Sequence, residues 1–268
     1  GEHTVNRLGF GAMRITGPGI LGPPADRGEA IRVLRRAVEL GVDFIDTADS
    51  YGADVSEELI AEALSPYPAG LVIATKGGLL RGGPGQWRPD GRPEHLRRAC
   101  EGSLARLGLE QITLYQFHRP DPAVPFEDSV GELVALRDEG KIGHIGLSNV
   151  DLDQLERALA LTPVASVQNR YNPSDQASDA LVEAAGQHGF AFIPWAPVGG
   201  HQPGEGDALA VVAARHGVSP VQVALAWQLA RSPQVLPIPG TSSVAHLEEN
   251  VAAAGLVLDA DDFARFAA

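Results

Sequence analysis

The chain is poor in several things, and each shortage excludes something. Among its 268 residues there is one cysteine, Cys100, so neither a disulfide framework nor a multi-cysteine metal site can be built. Cys100 falls in HLRRACEGSLARL, an amphipathic helical pattern that predicts a buried, inert thiol rather than a nucleophile. No run of about 18 apolar residues occurs, so no membrane span is expected. The opening GEHTVNRLGFGAMR lacks the apolar stretch of a signal peptide, and the cytoplasm is the expected location. The eight histidines form no HxH or HExxH pair, so no metal site is expected. Positive charge is scarce as well: 21 Lys and Arg stand against 34 Asp and Glu, a formal net charge of -13. Such a surface repels nucleic acid and anionic membranes, which are excluded as partners. Any phosphorylated ligand must then be held by local dipoles and a few placed cations.

What is present is an ordinary globular composition, 44% hydrophobic and 21% charged, without a linker or composition break. Residues 1–268 therefore read as one domain. Eight short apolar runs read as strands: 7–11, 42–47, 71–76, 112–118, 144–148, 165–169, 190–195 and 235–239. Between them lie stretches such as GEAIRVLRRAVELG and PEHLRRACEGSLARLG, with apolar residues at three- and four-residue spacing. Several close on glycine, at Gly41, Gly108, Gly140 and Gly189, as helix C-termini do. Alternating strands and helices imply an α/β fold with a parallel sheet. The count of eight, and the absence of an early GxGxxG after the first strand, favour a single (β/α)8 TIM barrel over a doubly wound sheet. Two stretches read as long loops, 77–92 and 196–207, and loops of that length are usually functional.

The polar residues gather at strand ends. Asp46, Lys76, His118, Ser148 with Asn149, and Gln168 with Asn169 each close a predicted strand. In a (β/α)8 barrel these ends meet at one mouth. Each residue alone has an ordinary structural explanation, as a helix cap, a snorkelling lysine or a satisfied core histidine. Five such ends together point to a site. In the set Asp46, Tyr51, Lys76 and His118, an aspartate would keep a buried lysine charged. The lysine, about 4 Å from the tyrosine, would contribute roughly 4 kcal/mol at an effective dielectric of 20 and draw the Tyr51 pKa down from about 10. A general acid works best near neutrality. His118 would orient a carbonyl. The device delivers a proton but holds no hydride, so an organic cofactor is required.

The segments DTADSYG (46–52), ATKGG (74–78), LYQFHRPD (114–121), GLSN (146–149), VQNRYN (167–172), PWAPVGG (194–200) and IPGTS with EEN (238–250) resemble the aldo-keto reductases, in that family's order. The resemblance implies a barrel that binds NADP(H) across its C-terminal mouth. It implies catalysis by Asp46, Tyr51, Lys76 and His118, with Tyr51 as general acid. Ser148, Asn149 and Gln168 would hold the nicotinamide carboxamide, and Trp195 would stack on the ring. Ala12 and Met13 would also touch the cofactor. Pro197, Val198, Gly199 and Gly200 would follow the pyrophosphate. Ile238, Pro239, Gly240, Thr241 and Ser242 would hold the adenosine end with His246, Glu249 and Asn250. Ser242 or Ser243 would cap the helix that follows. No Lys or Arg lies between Pro239 and Asn250, so NADPH is the first expectation and NADH stays open. Trp87 and Arg119 are the candidate substrate contacts. The wording is most similar to bacterial members that reduce pyridoxal or act as general aldehyde reductases. An aldehyde or ketone is the expected small-molecule partner.

Two other readings remain. The family includes potassium-channel β subunits that bind NADP(H) as regulatory partners with little turnover. A barrel lyase could use Lys76 as a Schiff base, but Tyr51, His118 and the IPGTS segment would then have no role.

Overall fold

The structure, a computed structural model, describes residues 3–83, 85–197 and 207–266. Val198, Gly199 and Gly200 lie outside the described residues. The chain runs β1 (Phe10–Gly11), α1 (Arg27–Glu39), β2 (Phe44–Asp46), α2 (Val55–Leu64), β3 (Val72–Gly77), β4 (Leu79–Gly83), β5 (Gln86–Pro89) and α3 (Pro93–Leu107). It continues through β6 (Ile112–Phe117), α4 (Phe126–Asp138), β7 (Ile142–Ser148), α5 (Leu152–Leu159), β8 (Ser166–Gln168), α6 (Asp179–His188) and β9 (Ala191–Phe192). The last helices are α7 (Ala208–His216), α8 (Pro220–Arg231), α9 (Val244–Ala252) and α10 (Ala260–Ala264).

Seven strands form one sheet in the order β1-β2-β3-β6-β7-β8-β9, every pair parallel. Residues 234–239 close it into a (β/α)8 barrel. On one side Phe192 N donates to Gln234 O and Leu236 N to Phe192 O, both at 2.9 Å. On the other, Gly9 N donates to Pro237 O at 2.9 Å and Gly11 N to Pro239 O at 3.3 Å. Two prolines in this eighth strand have no N–H to return, so half of its ladder towards β1 is missing. That is why a stretch bonded on both edges carries no regular strand.

The helices form where the apolar spacing predicts. Asp151 with Gln154 closes a capping box at the start of α5, and Ser219 with Gln222 does the same for α8, satisfying amide donors that the first turn leaves free. All four expected terminal glycines take positive φ: Gly41 88°, Gly108 64°, Gly140 77° and Gly189 75°. Cys100 is fully buried, and burial pushes its thiol up to about 12, as an inert thiol requires. Among the described residues, no single helix is long and apolar enough to cross a membrane.

The stretch 77–92 corrects the sequence reading. Instead of an irregular loop it contains an antiparallel ribbon, with Leu79 paired to Pro89, Leu80 to Arg88 and Arg81 to Trp87. The glycines and proline between LLR and QWR were the turn signal.

Period-two alternation sorts the strands into two layers. Tyr115, Phe117, Ile145, Leu147 and Val167 pack against the helices. Phe44, Val72, Ala74, Leu114, Ile193, Leu236 and Ile238 form a separate cluster. The next residues of the same alternation are Asp46, Lys76, Gln116 and His118. Each column is thus apolar below and polar at its C-terminal end. The interior is full: a Cβ on Gly146 would lie 2.4 Å from Ser166 Oγ and 2.7 Å from Gln116 Cγ. The polar ends therefore stand on a packed base rather than over a pore.

Candidate active site

Asp46 ends β2, Lys76 is the penultimate residue of β3, and His118 follows β6 directly. Tyr51 comes from the loop after β2. Its place is set by Gly52, which pairs with Leu21 of the β1–α1 loop and has φ of 70°. A Cβ there would meet Thr16 Cγ2 and Val55 Cβ, both at 2.9 Å, so only glycine fits.

These four side chains meet. Lys76 is fully buried and Asp46 is 1% exposed. Lys76 Nζ donates to Asp46 Oδ1 at 2.5 Å, to Thr47 O at 2.9 Å and to Tyr51 Oη at 3.3 Å. The other Asp46 oxygen accepts from Gln116 Nε2 at 2.8 Å and Gln168 Nε2 at 2.9 Å. His118 stands edge-on to Tyr51, with ring centroids 5.8 Å apart. Burial works against the Lys76 charge, yet Asp46 and Tyr51 beside it push its pKa above the ordinary lysine value.

The expected lowering of the Tyr51 pKa is overturned. Burial, helped by Asp46, outweighs the pull of Lys76 and raises it above 10. The phenol therefore keeps its proton at neutral pH. Burial, with Lys76 and Arg119 adding to it, drives His118 well below the usual histidine value, so the imidazole is neutral.

The polar residues expected around a cofactor share this mouth. Ser148 Oγ donates to Gln168 O at 2.9 Å, and Asn149 Nδ2 donates to His118 O and Ser148 Oγ, each at 3.0 Å. Asn149 has φ of 58°, a left-handed conformation that asparagine tolerates. Trp195 is reached through a backbone bond to Asn169 O, and the Arg170 guanidinium lies 5.8 Å from its ring centre. Gln228 Nε2 holds Pro197 O at 3.1 Å. Ala12 and Met13 form a 3-10 turn at the end of β1 (residues 12–15). Ile238, Pro239 and Gly240 come alongside through the β1 closure, with Thr241 and Ser242 next in the chain. His246 is exposed, Glu249 is half-buried and Asn250 is buried on α9.

The capping of α9 differs from expectation. Ser243 is its N-cap residue but makes no side-chain cap bond. Ser243 N donates to Thr241 Oγ1 at 3.1 Å, and Val244 N donates to Glu29 Oε1 of α1 at 3.2 Å. A carboxylate thus occupies the start of a helix whose N-terminus suits an anion. Of the substrate candidates, Arg119 is exposed beside His118. Trp87 is stacked under Arg81, 4.0 Å from ring centre to guanidinium, and Arg81 donates to Gly19 O. No hydrogen bond or ring contact joins Trp87 to the four central residues.

The sequence reading missed Gln116, Ser50 and a polar cluster behind the site. Gln116 was detectable as a polar residue in phase with Leu114 and His118. Ser50 Oγ lies 3.4 Å from His118 Nδ1. In the cluster, buried Glu57 accepts from Thr75 Oγ1 at 2.5 Å and Arg106 Nε at 2.7 Å, while Asp49 Oδ1 and Tyr115 Oη are enclosed without partners among the described residues. Among the described residues, no group of three or more His, Cys, Asp and Glu could hold a metal ion.

Comparison with known proteins agrees with this geometry. The sequence profile of the aldo/keto reductase family matches residues 7–268. An uncharacterised oxidoreductase of Schizosaccharomyces pombe is 50% identical over 266 residues, covering 99% of this chain and 87% of its own. The pyridoxine 4-dehydrogenase of Escherichia coli is 45% identical over 265 residues, covering 96% and 92%. An aldo/keto reductase from Klebsiella pneumoniae, solved with NADP and acetate, superposes with a TM-score of 0.82 at 26% identity, covering 98% of this chain and 90% of that one. The chain belongs to the aldo/keto reductase family and is an oxidoreductase.

Proposed function

We propose that residues 1–268 act as one barrel domain that reduces an aldehyde or ketone to an alcohol with NADPH, Tyr51 giving the proton. The observation that carries this reading is the buried contact of Lys76 Nζ with both Asp46 and Tyr51, edge-on to His118.

The described residues fit a nicotinamide dinucleotide. Asn149 Oδ1 and Gln168 Oε1 accept no hydrogen bond among the described residues and match the two N–H groups of a carboxamide. Trp195 offers a flat apolar face. When bound, the dinucleotide supplies the hydride. The NADP-bound relative supports NADPH; Glu29 at the start of α9 keeps NADH open as a second cofactor.

The remaining chemistry belongs to the chain. His118 donates a hydrogen bond to the carbonyl oxygen and orients it. Tyr51, held as a neutral phenol, passes its proton to that oxygen as negative charge develops there. Lys76, 3.3 Å away, stabilises the phenolate left behind. Asp46 holds Lys76 in place and charged, and Gln116 and Gln168 hold Asp46. Arg119 and Trp87 border the substrate side. The likeness to a pyridoxine 4-dehydrogenase makes pyridoxal the first substrate to test.

Fluorescence titration with NADPH and NADH, followed by an aldehyde panel that includes pyridoxal, tests the reading. Tyr51→Phe removes only the proton donor. Its kcat is expected to fall by about 10²- to 10⁴-fold with cofactor affinity nearly unchanged. A Tyr51→Phe enzyme that keeps most of its rate would overturn the mechanism. Tight cofactor binding without turnover of any aldehyde would favour a regulatory protein of the channel β-subunit type.

A further inference from the structure

A neutral imidazole carries one N–H, on Nδ1 or on Nε2, and only one of the two forms can help a carbonyl. His118 is held neutral, so its tautomer decides whether it can donate to substrate at all. Its backbone is already committed: N donates to Gly77 O at 2.9 Å and O accepts from Asn149 Nδ2. Nε2 makes no hydrogen bond among the described residues and is not enclosed. Among the described residues Nδ1 meets a single partner, the hydroxyl of Ser50 at 3.4 Å. Among the described residues, no carboxylate or backbone carbonyl, the usual orienters of a histidine, bonds to Nδ1.

Ser50 is 6% exposed, and its hydroxyl has no other hydrogen-bond partner among the described residues. Two arrangements are possible. If Nδ1–H donated to Ser50 Oγ, the serine proton would be left buried without an acceptor, and Nε2 would face the mouth as an acceptor. If Ser50 O–H donates to Nδ1, every buried proton is used, and Nε2–H faces the mouth, where water or a carbonyl oxygen can accept it. Orphaned buried donors are the more heavily penalised groups, because an oxygen with spare lone pairs loses less. Donor accounting therefore selects the second arrangement.

We propose that Ser50 is a positioning residue that fixes His118 in the Nε2–H tautomer, aiming the N–H at the substrate carbonyl. The proposal rests on the reductase reading for its catalytic consequence, but the tautomer itself is measurable without turnover. The residue sits beside Tyr51 in the chain, so one loop carries both the proton donor and the group that prepares the carbonyl's second hydrogen-bond donor.

The test uses full-length protein labelled with 15N-histidine, with the His118 resonances assigned by their loss in His118→Asn. The wild type is expected to show Nε2 protonated and Nδ1 bare between pH 6 and pH 8. Ser50→Ala is expected to show a mixture of tautomers, and Ser50→Thr, which keeps the hydroxyl, to restore the single form. In turnover with a reactive aldehyde, Ser50→Ala should lose about 3- to 10-fold in kcat, the worth of one hydrogen bond, with cofactor Kd unchanged, and Ser50→Thr should recover most of it. A wild type with Nδ1 protonated would overturn the proposal. So would a Ser50→Ala protein whose His118 tautomer and kcat both match the wild type. If the wild type reduced no aldehyde, the reductase reading would fall, while the tautomer spectra would still decide the role of Ser50.

Discussion

Asp49 stands two residues before the proposed proton donor, with Oδ1 enclosed and without a partner among the described residues. Burial, with Glu57 nearby, pushes its carboxyl up to about 8, against the pull of Arg106. An unfolded aspartate titrates near 3.9. The folded pKa is the higher one, so this group's contribution to stability is full below about pH 4 and is lost as pH rises through about 8. Asp49→Asn should remove that loss. Thermal melts are expected to show the variant gaining several degrees on the wild type at pH 8 relative to the difference at pH 5. A difference that is the same at both values would show that Asp49 does not titrate in this range. At this scale the sequence carried residue types but not environments. The pull of Lys76 on Tyr51 was legible from charge alone, whereas the larger effect of burial was not. The phase of Gln116 with Leu114 and His118 was legible, but its role, holding Asp46 Oδ2, needed the distance between them.

At the scale of the element, the first turn of α9 is where the cofactor reading meets resistance. Its N-terminus carries partial positive charge suited to an anion, but Glu29 already accepts the Val244 amide. On the proposed reading, a 2'-phosphate near Thr241 and Ser242 would feel that carboxylate. Glu29→Gln should therefore tighten NADPH by about 2- to 5-fold while leaving NADH nearly unchanged. Equal changes for both dinucleotides would place the phosphate elsewhere. Element boundaries show what local pattern can and cannot decide. Helices α3 and α6 end where their glycines predicted. The run 7–11 became the two-residue β1, and 190–195 the two-residue β9, because pairing with neighbours, not propensity, sets where a strand stops. The ribbon of β4 and β5 lies in a glycine-rich stretch with little β propensity. Its cation–π contact between Arg81 and Trp87, a cross-strand pair, is visible only once the register is known.

For the whole molecule, the net charge of -13 opposes any anionic cofactor at long range, while Lys76 and Arg119 at the mouth attract it at short range. Salt screens the first more than the second, since the Debye length is about 30 Å at 0.01 M and about 8 Å at 0.15 M. The association rate of NADPH, followed by stopped-flow fluorescence, is expected to rise a few-fold across that range. A falling rate would show that the cations of the mouth govern the approach. The order of strands and helices, the terminal glycines, the polar residues at strand ends and the reductase-like motifs were all determined by the sequence by itself. They depend on chain neighbours within a few residues, and local spacing records them faithfully. The tertiary structure alone decided how residues 234–239, read from the sequence as the eighth strand, bond to both neighbours despite Pro237 and Pro239. It also brought Asp46, Tyr51, Lys76 and His118 into contact, kept Tyr51 protonated and left Ser50 as the one partner of His118 Nδ1 among the described residues. Each of these is a matter of distance and burial between residues far apart in the chain, and those quantities come into being only when the barrel closes.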